Sequence, residues 1–145
     1  MSLFTESSVQ PFVTGPLDTD AALDKFEIPV GAVPKGGAMR ILLRGVGVGD
    51  QVGKITPELN HVPLLAAGVV VSGAGADVVA DLLLWRTGDT QGRIGGTVID
   101  ADGVLTRVAD VDVTDLAWNR AQLFRFVGRS NAVGGVRLET YGIQR

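Results

Sequence analysis

The fold is decided by the stretch at residues 123–145, LFRFVGRSNAVGGVRLETYGIQR. Its first half places Phe124 and Phe126 on either side of Arg125. After the glycine-rich turn SNAVGG, apolar and charged residues alternate again from Val136 onward. Such alternation is typical of a β-strand with one buried and one exposed face. We therefore predict two strands that pair with each other as a terminal hairpin.

Three regions upstream carry the same kind of signal. Residues 38–50 alternate apolar residues with two arginines, and residues 62–89 contain β-branched runs broken by glycines, which favours two buried strands. Within residues 95–113, Asp102-Gly103 between apolar runs predicts a hairpin with a type I′ turn. With about six to nine short strands, the sequence predicts an all-β protein, either an antiparallel β-sandwich of jelly-roll-like kind or a small barrel.

Helix remains an alternative in three segments. A short helical turn is compatible with residues 19–26, TDAALDKF, and a helix of one or two turns with residues 113–122, which also suit a loop. Residues 76–85, ADVVADLLLW, have apolar residues near helical spacing. For this last segment we favour a strand, because three consecutive leucines suit a sheet that is covered on both faces.

The N-terminal residues 1–35 read differently from the rest. They contain four prolines and show no sustained helical or strand period. Because proline cannot sit inside a helix and removes a backbone donor, we predict an extended arm at residues 1–35 and a β-sandwich domain at 36–145. Apolar residues on the arm would contact a partner, and we assign this assembly role to Leu3, Phe4, Phe12 and Val13.

Composition narrows the functional classes. The 145 residues suit one domain, and the chain has no cysteine and one histidine, which argues against disulfides and the common zinc, copper and iron sites. The net charge of −3 gives no reason to expect binding of nucleic acid. We also expect no association with a membrane, because the sequence lacks a signal-peptide pattern and a long apolar run.

No motif in the sequence predicts a catalytic, cofactor-binding or metal-binding residue. The glycine-rich RGVGVGDQVGK at residues 44–54 lacks the spacing of a phosphate loop. DADG at residues 100–103 lacks the remaining ligands of a calcium loop, and DVDVTD at 110–115 is read as the solvated face of a strand. GRSNA at 128–132 ends in alanine rather than glycine. We therefore predict a protein that is not an enzyme and needs no cofactor.

Two further features bear on binding. Trp118 lies in a polar segment, where it suits either an exposed platform for sugars or an anchor at a subunit interface or at the end of the sandwich. Residues 120–145 hold five arginines and one acidic residue. Since arginine pairs well with carboxylates at interfaces, we assign contact roles to Arg120, Arg125 and Arg137.

The layout resembles the small structural proteins of tailed bacteriophages, especially the head decoration or cement proteins. The likeness is carried by the proline-studded start SSVQPFVTGPLDTD at residues 7–20 and by the strand-and-turn texture of residues 123–145. The resemblance implies a homo-oligomer, a dimer or trimer, that sits on the outside of the capsid and clamps the major capsid protein. It places the protein in the virion, at the capsid surface.

Two other classes stay open at this point. One is a β-sandwich module of a phage tail or fibre that binds carbohydrate or a receptor, and exposure of Trp118 is its discriminating feature. The other is an enzyme or cellular β-domain, for which a deep cleft with converging carboxylates would be expected.

Overall fold

The computed structural model describes residues 2–13, 20–48, 51–73, 75–132 and 135–144, and at residues 2–13 it describes the backbone. These residues form eleven β-strands, and none of them is helical. In chain order the strands are β1 (Ser2–Val13), β2 (Ala21–Ile28), β3 (Ala38–Gly47), β4 (Gly53–Leu59), β5 (Val62–Pro63), β6 (Val69–Val70), β7 (Asp77–Arg86), β8 (Gly92–Ile99), β9 (Leu105–Val113), β10 (Gln122–Ser130) and β11 (Val136–Gln144).

The strands form two antiparallel sheets that pack as a β-sandwich, which confirms the predicted fold class. The larger sheet A has the strand order β1-β11-β3-β7-β8-β9. The smaller sheet B has the order β2-β10-β4-β5, and β6 also pairs with β4. Because sheet A is wider, its last strands extend past sheet B.

The core lies between the two sheets and takes alternate residues from strands such as β3 and β7. Burial alternates regularly along β3 and β7, as expected for strands with one face against the core. The largest fully buried side chains are Phe124, Phe126, Met39, Ile41, Leu43, Ile55, Leu59, Leu82, Leu84, Ile94, Leu116 and Leu138.

An aromatic cluster joins the sheets near the centre of the sandwich. Phe26 of β2 stacks on Phe124 of β10, with ring centroids 5.1 Å apart. Phe126 reaches Tyr141 of β11 in the opposite sheet, at 4.9 Å between centroids. The Tyr141 hydroxyl donates a hydrogen bond of 2.7 Å to Asp24 of β2. At this cluster the two sheets are thus linked by apolar packing and by a polar contact.

Residues 123–145 do not form the predicted hairpin. Strand β10 pairs with β2 and β4 in sheet B, whereas β11 pairs with β1 and β3 in sheet A. Each strand was predicted correctly, but their pairing was wrong. The reason is that both strands bury a full face, and these two faces pack on each other across the core instead of lying side by side.

Within residues 1–35, the described residues 2–13 and 20–35 do not form a separate arm. Strand β1 pairs with β11 at one edge of sheet A, and β2 forms an edge of sheet B beside β10. Leu23 and Ile28 of β2 are buried in the core, as are Ala32 and Val33 after it. Residues 21–33 therefore belong to the sandwich, and the helical turn considered at residues 19–26 is replaced by a strand.

The other two helical alternatives are also absent from the described residues. Strand β7 covers residues 77–86, so the preference for a strand was correct. Its stated reason was not, because Val79, Leu83 and Trp85 on the outer face remain partly exposed and only one face is covered. Residues 114–121 form a loop.

The predicted type I′ turn is absent at Asp102-Gly103, and a turn of this kind occurs at a place where none was predicted. The β8–β9 hairpin forms as predicted, but only Gly103 has a positive φ, 78°, and the Asp100 carboxylate accepts bonds from the backbone N–H groups of Asp102 and Val104. A type I′ turn needs two such residues, so that turn type was wrong. Asn60 and His61, with φ of 46° and 66°, instead make a two-residue turn of this kind between β4 and β5.

Candidate interaction surface

Strand β9 is an edge strand of sheet A that is exposed along almost its whole length. Of its nine residues, Val113 is buried and Val108 is half-buried, while the other seven are exposed. Leu105 is 59% exposed and Val111 53%. One side of β9 pairs with β8, and no other described strand pairs with its opposite side. Charges and a β-bulge, which protect many natural edge strands, occur in β9 too, but its inner face keeps exposed apolar side chains at an unpaired edge, which is typical of a surface that receives a partner.

An apolar groove runs beneath this edge, where sheet A extends past sheet B. The segment 64–68, which follows β5, lies opposite the inner face of β8 and β9 and leaves a cavity of about 360 Å³ between them. We call this cavity the edge groove. Its apolar lining comes mainly from Leu64, Leu65, Val98, Val108, Ala109 and Val111, and residues 66–68 complete it.

A β-bulge in β9 sorts its side chains between the two faces. Ile94 of β8 pairs with Val111 and Gly96 pairs with Val108, so β9 has one more residue than β8 over this interval. Val108 and Val111 both line the edge groove on the inner face. Their neighbours on the strand, Arg107 and Asp112, consequently point to the outer face, and both are exposed. The strand thus has an apolar inner side and a charged outer side.

Asp110 completes the charged side of β9. Its carboxylate lies over Gly95 of β8 on the outer face, in the space that a Cβ at residue 95 would need. Asp110 and Asp112 agree with the predicted solvated face of DVDVTD, whereas Asp115 lies in the following loop with a φ of 63°. The apolar side of the same strand was not predicted from the sequence, because the bulge changes the phase of the alternation at residues 109–110.

Two arginine–aspartate pairs cross the outer face of sheet A at strands β3 and β7. Arg40 binds both carboxylate oxygens of Asp81 at 2.9 and 2.6 Å, and Arg44 binds those of Asp77 at 2.8 and 2.7 Å. The hydrogen bonds from Arg44 and Arg40 hold the pKa values of the Asp77 and Asp81 carboxyl groups below their usual range. These four charged side chains are therefore already paired within the chain.

Replacing Asp77 with asparagine should make the free energy of unfolding less dependent on pH in the acidic range. Because the carboxyl pKa of Asp77 is lowered in the folded protein, its ionised form stabilises the fold above the unfolded pKa of about 3.9, and this contribution is lost as the pH falls through the folded value. Urea unfolding at a series of pH values should show the difference between wild type and Asp77→Asn shrinking below about pH 4. Asp102→Asn, in the exposed β8–β9 loop, is the matched control. A difference that stays constant with pH would contradict this role of the pair.

The structure corrects the assignment of Trp118. Its side chain is 4% exposed, and its indole Nε1–H donates a 2.8 Å hydrogen bond to the carbonyl oxygen of Gln91. The guanidinium of Arg86 lies 5.9 Å from the ring centroid. Trp118 therefore belongs to the core and is available neither as a sugar platform nor as an interface anchor. Its indole N–H finds a backbone partner, so a tryptophan in a polar sequence segment is accommodated inside the fold.

The three arginines assigned to contacts do not share a surface. Arg125 lies on the outer face of sheet B, where its Nε donates to Glu58 at 2.8 Å. Arg137 lies on the outer face of sheet A and forms a 2.9 Å ion pair with Glu139. Arg120 is exposed in the loop before β10. The side chains of the predicted arm contacts, Leu3, Phe4, Phe12 and Val13, lie outside the described residues.

The described residues contain no group of three or more His, Cys, Asp or Glu side chains that could hold a metal ion. Asp100 and Asp102 of DADG line an open cavity of about 420 Å³ together with Asp77. Asp100 is engaged in the β8–β9 turn and Asp77 in its pair with Arg44. Within the described parts of the chain, no helix is long and apolar enough to cross a membrane.

Comparisons with known proteins add little to this geometry. No protein-family model matches the chain, and no curated protein matches it. Among solved structures, a legume lectin-like domain from Entamoeba histolytica is similar at 8% sequence identity and a TM-score of 0.39, over 93% of this chain and 82% of that one. A likeness at this level carries no argument about what the chain binds.

Proposed function

We propose that this chain is a non-enzymatic structural protein that acts by associating with other protein chains, as a decoration protein of a tailed-phage capsid. The observation that carries the proposal is the exposed apolar edge formed by β9 and the edge groove. Apolar surface of this kind gains about 25 cal/mol per Å² when a protein partner covers it. The likeness of the sequence to head decoration proteins indicates which partners these are, namely further copies of the chain and the major capsid protein.

In this proposal the two edges of sheet A bind different partners. At strands β3 and β7, the arginines and aspartates of the outer face are already paired with each other, so they offer little further binding energy to a partner. Strand β1, at the edge of sheet A opposite to β9, is paired on one side with β11. In our proposal the β9 edge associates with other copies, and the N-terminal residues bind the shell.

The proposal is tested with shells assembled from the major capsid protein of the same virus. The full-length protein should sediment with the shells at a fixed number of copies per shell. A variant lacking residues 1–15 should retain the sandwich, because the core residues of β2 to β11 remain, but should lose binding to the shells at least tenfold. Circular dichroism and thermal melting check that the truncated variant is folded. Failure of the full-length protein to bind the shells at micromolar concentration would rule out the decoration role.

A further inference from the structure

We propose that β9 pairs antiparallel with β9 of a second copy of this chain across a two-fold axis, with Arg107 of each copy facing Asp112 of the other. The two six-stranded sheets would then form one continuous sheet. The inference rests on the proposed function, since it names the partner that covers the exposed edge, and its evidence is the geometry and charge of β9.

The two-fold symmetry restricts which residues can face each other. An axis perpendicular to the sheet leaves the outer face of one copy continuous with the outer face of the other, so outward residues must oppose outward residues. In a regular strand, residues 107 and 112 would point to opposite faces, because their positions differ by an odd number. The bulge between Val108 and Val111 places both of them on the outer face. The bulge therefore makes the 107-to-112 register compatible with a two-fold axis.

Outside the bulge, this register matches both faces of the strand, while the bulged residues Ala109 and Asp110 of the two copies face each other at the two-fold axis. On the outer face, each Arg107 meets an Asp112, so the interface contains two opposite-charge pairs related by symmetry. On the inner face, each Val108 meets a Val111, and these are the side chains that line the edge groove. Cross-strand pairs of opposite charge and pairs of β-branched residues each stabilise antiparallel sheets. The second copy thus continues the apolar strip that the sandwich leaves uncovered.

The neighbouring symmetric register is poorer. If Arg107 faced Asp110 of the second copy, Asp112 would lie opposite Leu105, which leaves a carboxylate against an apolar side chain. The groove-lining Val111 would then face Thr106 instead of a valine. Charge complementarity and apolar matching therefore select the same register.

Charge reversal tests the pairing. In homodimers of Arg107→Asp, aspartates would face each other across the strand pair, and in homodimers of Asp112→Arg, arginines would do so. Each variant alone should raise the dimer dissociation constant about tenfold or more, because like charges directly opposite each other destabilise a sheet. In an equimolar mixture of the two variants, both charge pairs regain opposite signs, and dimers should return to near wild-type affinity. Light scattering over a range of concentrations measures the masses.

Arg120→Asp provides the matched control, since Arg120 is exposed in the loop between β9 and β10 and lies outside the strand pair, so its reversal should leave the mass unchanged. A wild-type protein that stays monomeric at the highest concentration reached would overturn the inference. So would variants that dimerise like wild type, or a mixture that fails to recover. Because the mixture contains only the two variants, its recovery also shows that each of them is folded.

Disulfide trapping fixes the register independently, because the chain has no cysteine of its own. Mixed under mild oxidation, Arg107→Cys and Asp112→Cys should give a cross-linked heterodimer, while Arg107→Cys alone should give little. Cross-linking of Arg107→Cys with Asp110→Cys in its place would overturn the proposed register. Shell binding by a protein that fails these tests would leave the decoration role intact and reject only the β9 dimer. A protein that forms the β9 dimer but does not bind the shells would support the strand pairing and reject the decoration role.

Discussion

Replacing Phe124 with alanine is expected to lower the free energy of unfolding by about 3–5 kcal/mol. Phe124 is fully buried at the centre of sheet B, where its ring stacks on Phe26 and meets the edge of Phe126 at a centroid distance of 5.0 Å. Its loss removes apolar contacts with both neighbours and leaves a cavity between two sheets that cannot easily collapse. Equilibrium unfolding in urea, followed by tryptophan fluorescence, measures the change.

Two variants control for Phe124→Ala. Phe124→Leu keeps most of the volume and should recover more than half of the loss. Val30→Ala removes apolar atoms from a side chain that is 60% exposed and should change stability by less than about 0.5 kcal/mol. A loss below about 1 kcal/mol in Phe124→Ala would mean that the aromatic cluster is not the centre of the core.

The second large effect is expected at a glycine in β8. Gly96 has a φ of +150°, a conformation that residues with a side chain rarely adopt. A Cβ at this position would collide with the backbone carbonyl oxygen of Asp81 and lie 2.9 Å from the Cα of Leu82. Both atoms belong to β7, so Gly96→Ala must push β8 away from its neighbour. We expect a loss of about 2–4 kcal/mol in the free energy of unfolding.

Gly88→Ala is the control for Gly96→Ala. Its added Cβ would be 3.5 Å from the Gln91 side chain, an ordinary van der Waals contact, so stability should change little. Thermal melting of the two variants beside wild type provides the comparison. If Gly96→Ala melted together with Gly88→Ala, the close approach of β7 and β8 at this point would be refuted.

The sequence could predict the strands because each of them carries its own burial pattern. Along β3, Arg40 and Arg44 mark the outer face and Met39 and Ile41 the inner one, and the structure has this arrangement. The fold class followed from such strands and from the turns between them. Local alternation records which face of a strand is buried, and this information is present in the segment itself.

Pairing partners were not predictable in the same way. The alternation around Phe124 and Leu138 is equally compatible with two strands side by side in one sheet and with two strands facing each other across a core. The choice depends on contacts with β2, β4, β1 and β3, which are distant in sequence. A turn signal between two strands therefore does not establish a hairpin when both strands lie inside their sheets.

The candidate surface was missed for a related reason. Whether β9 is covered depends on how far sheet A extends past sheet B. This depends on the number of strands in each sheet, which the nine residues of β9 do not determine. An exposed position for Trp118 was wrong because a polar neighbourhood in sequence does not prevent burial when the indole N–H finds a backbone acceptor, here Gln91. In both cases the missing information is tertiary.

The crossing of the chain from β10 to β11 has a consequence for biosynthesis. Strand β10 holds β2 and β4 together, and β11 holds β1 and β3 together, so residues 122–144 supply an interior strand to each sheet. During translation, β1 to β4 would remain unpaired with these strands until β10 and β11 have left the ribosome. Pairings that span most of the chain close slowly. We therefore expect the nascent chain to depend on chaperones until its C-terminal strands are released, and then to fold in one late cooperative step.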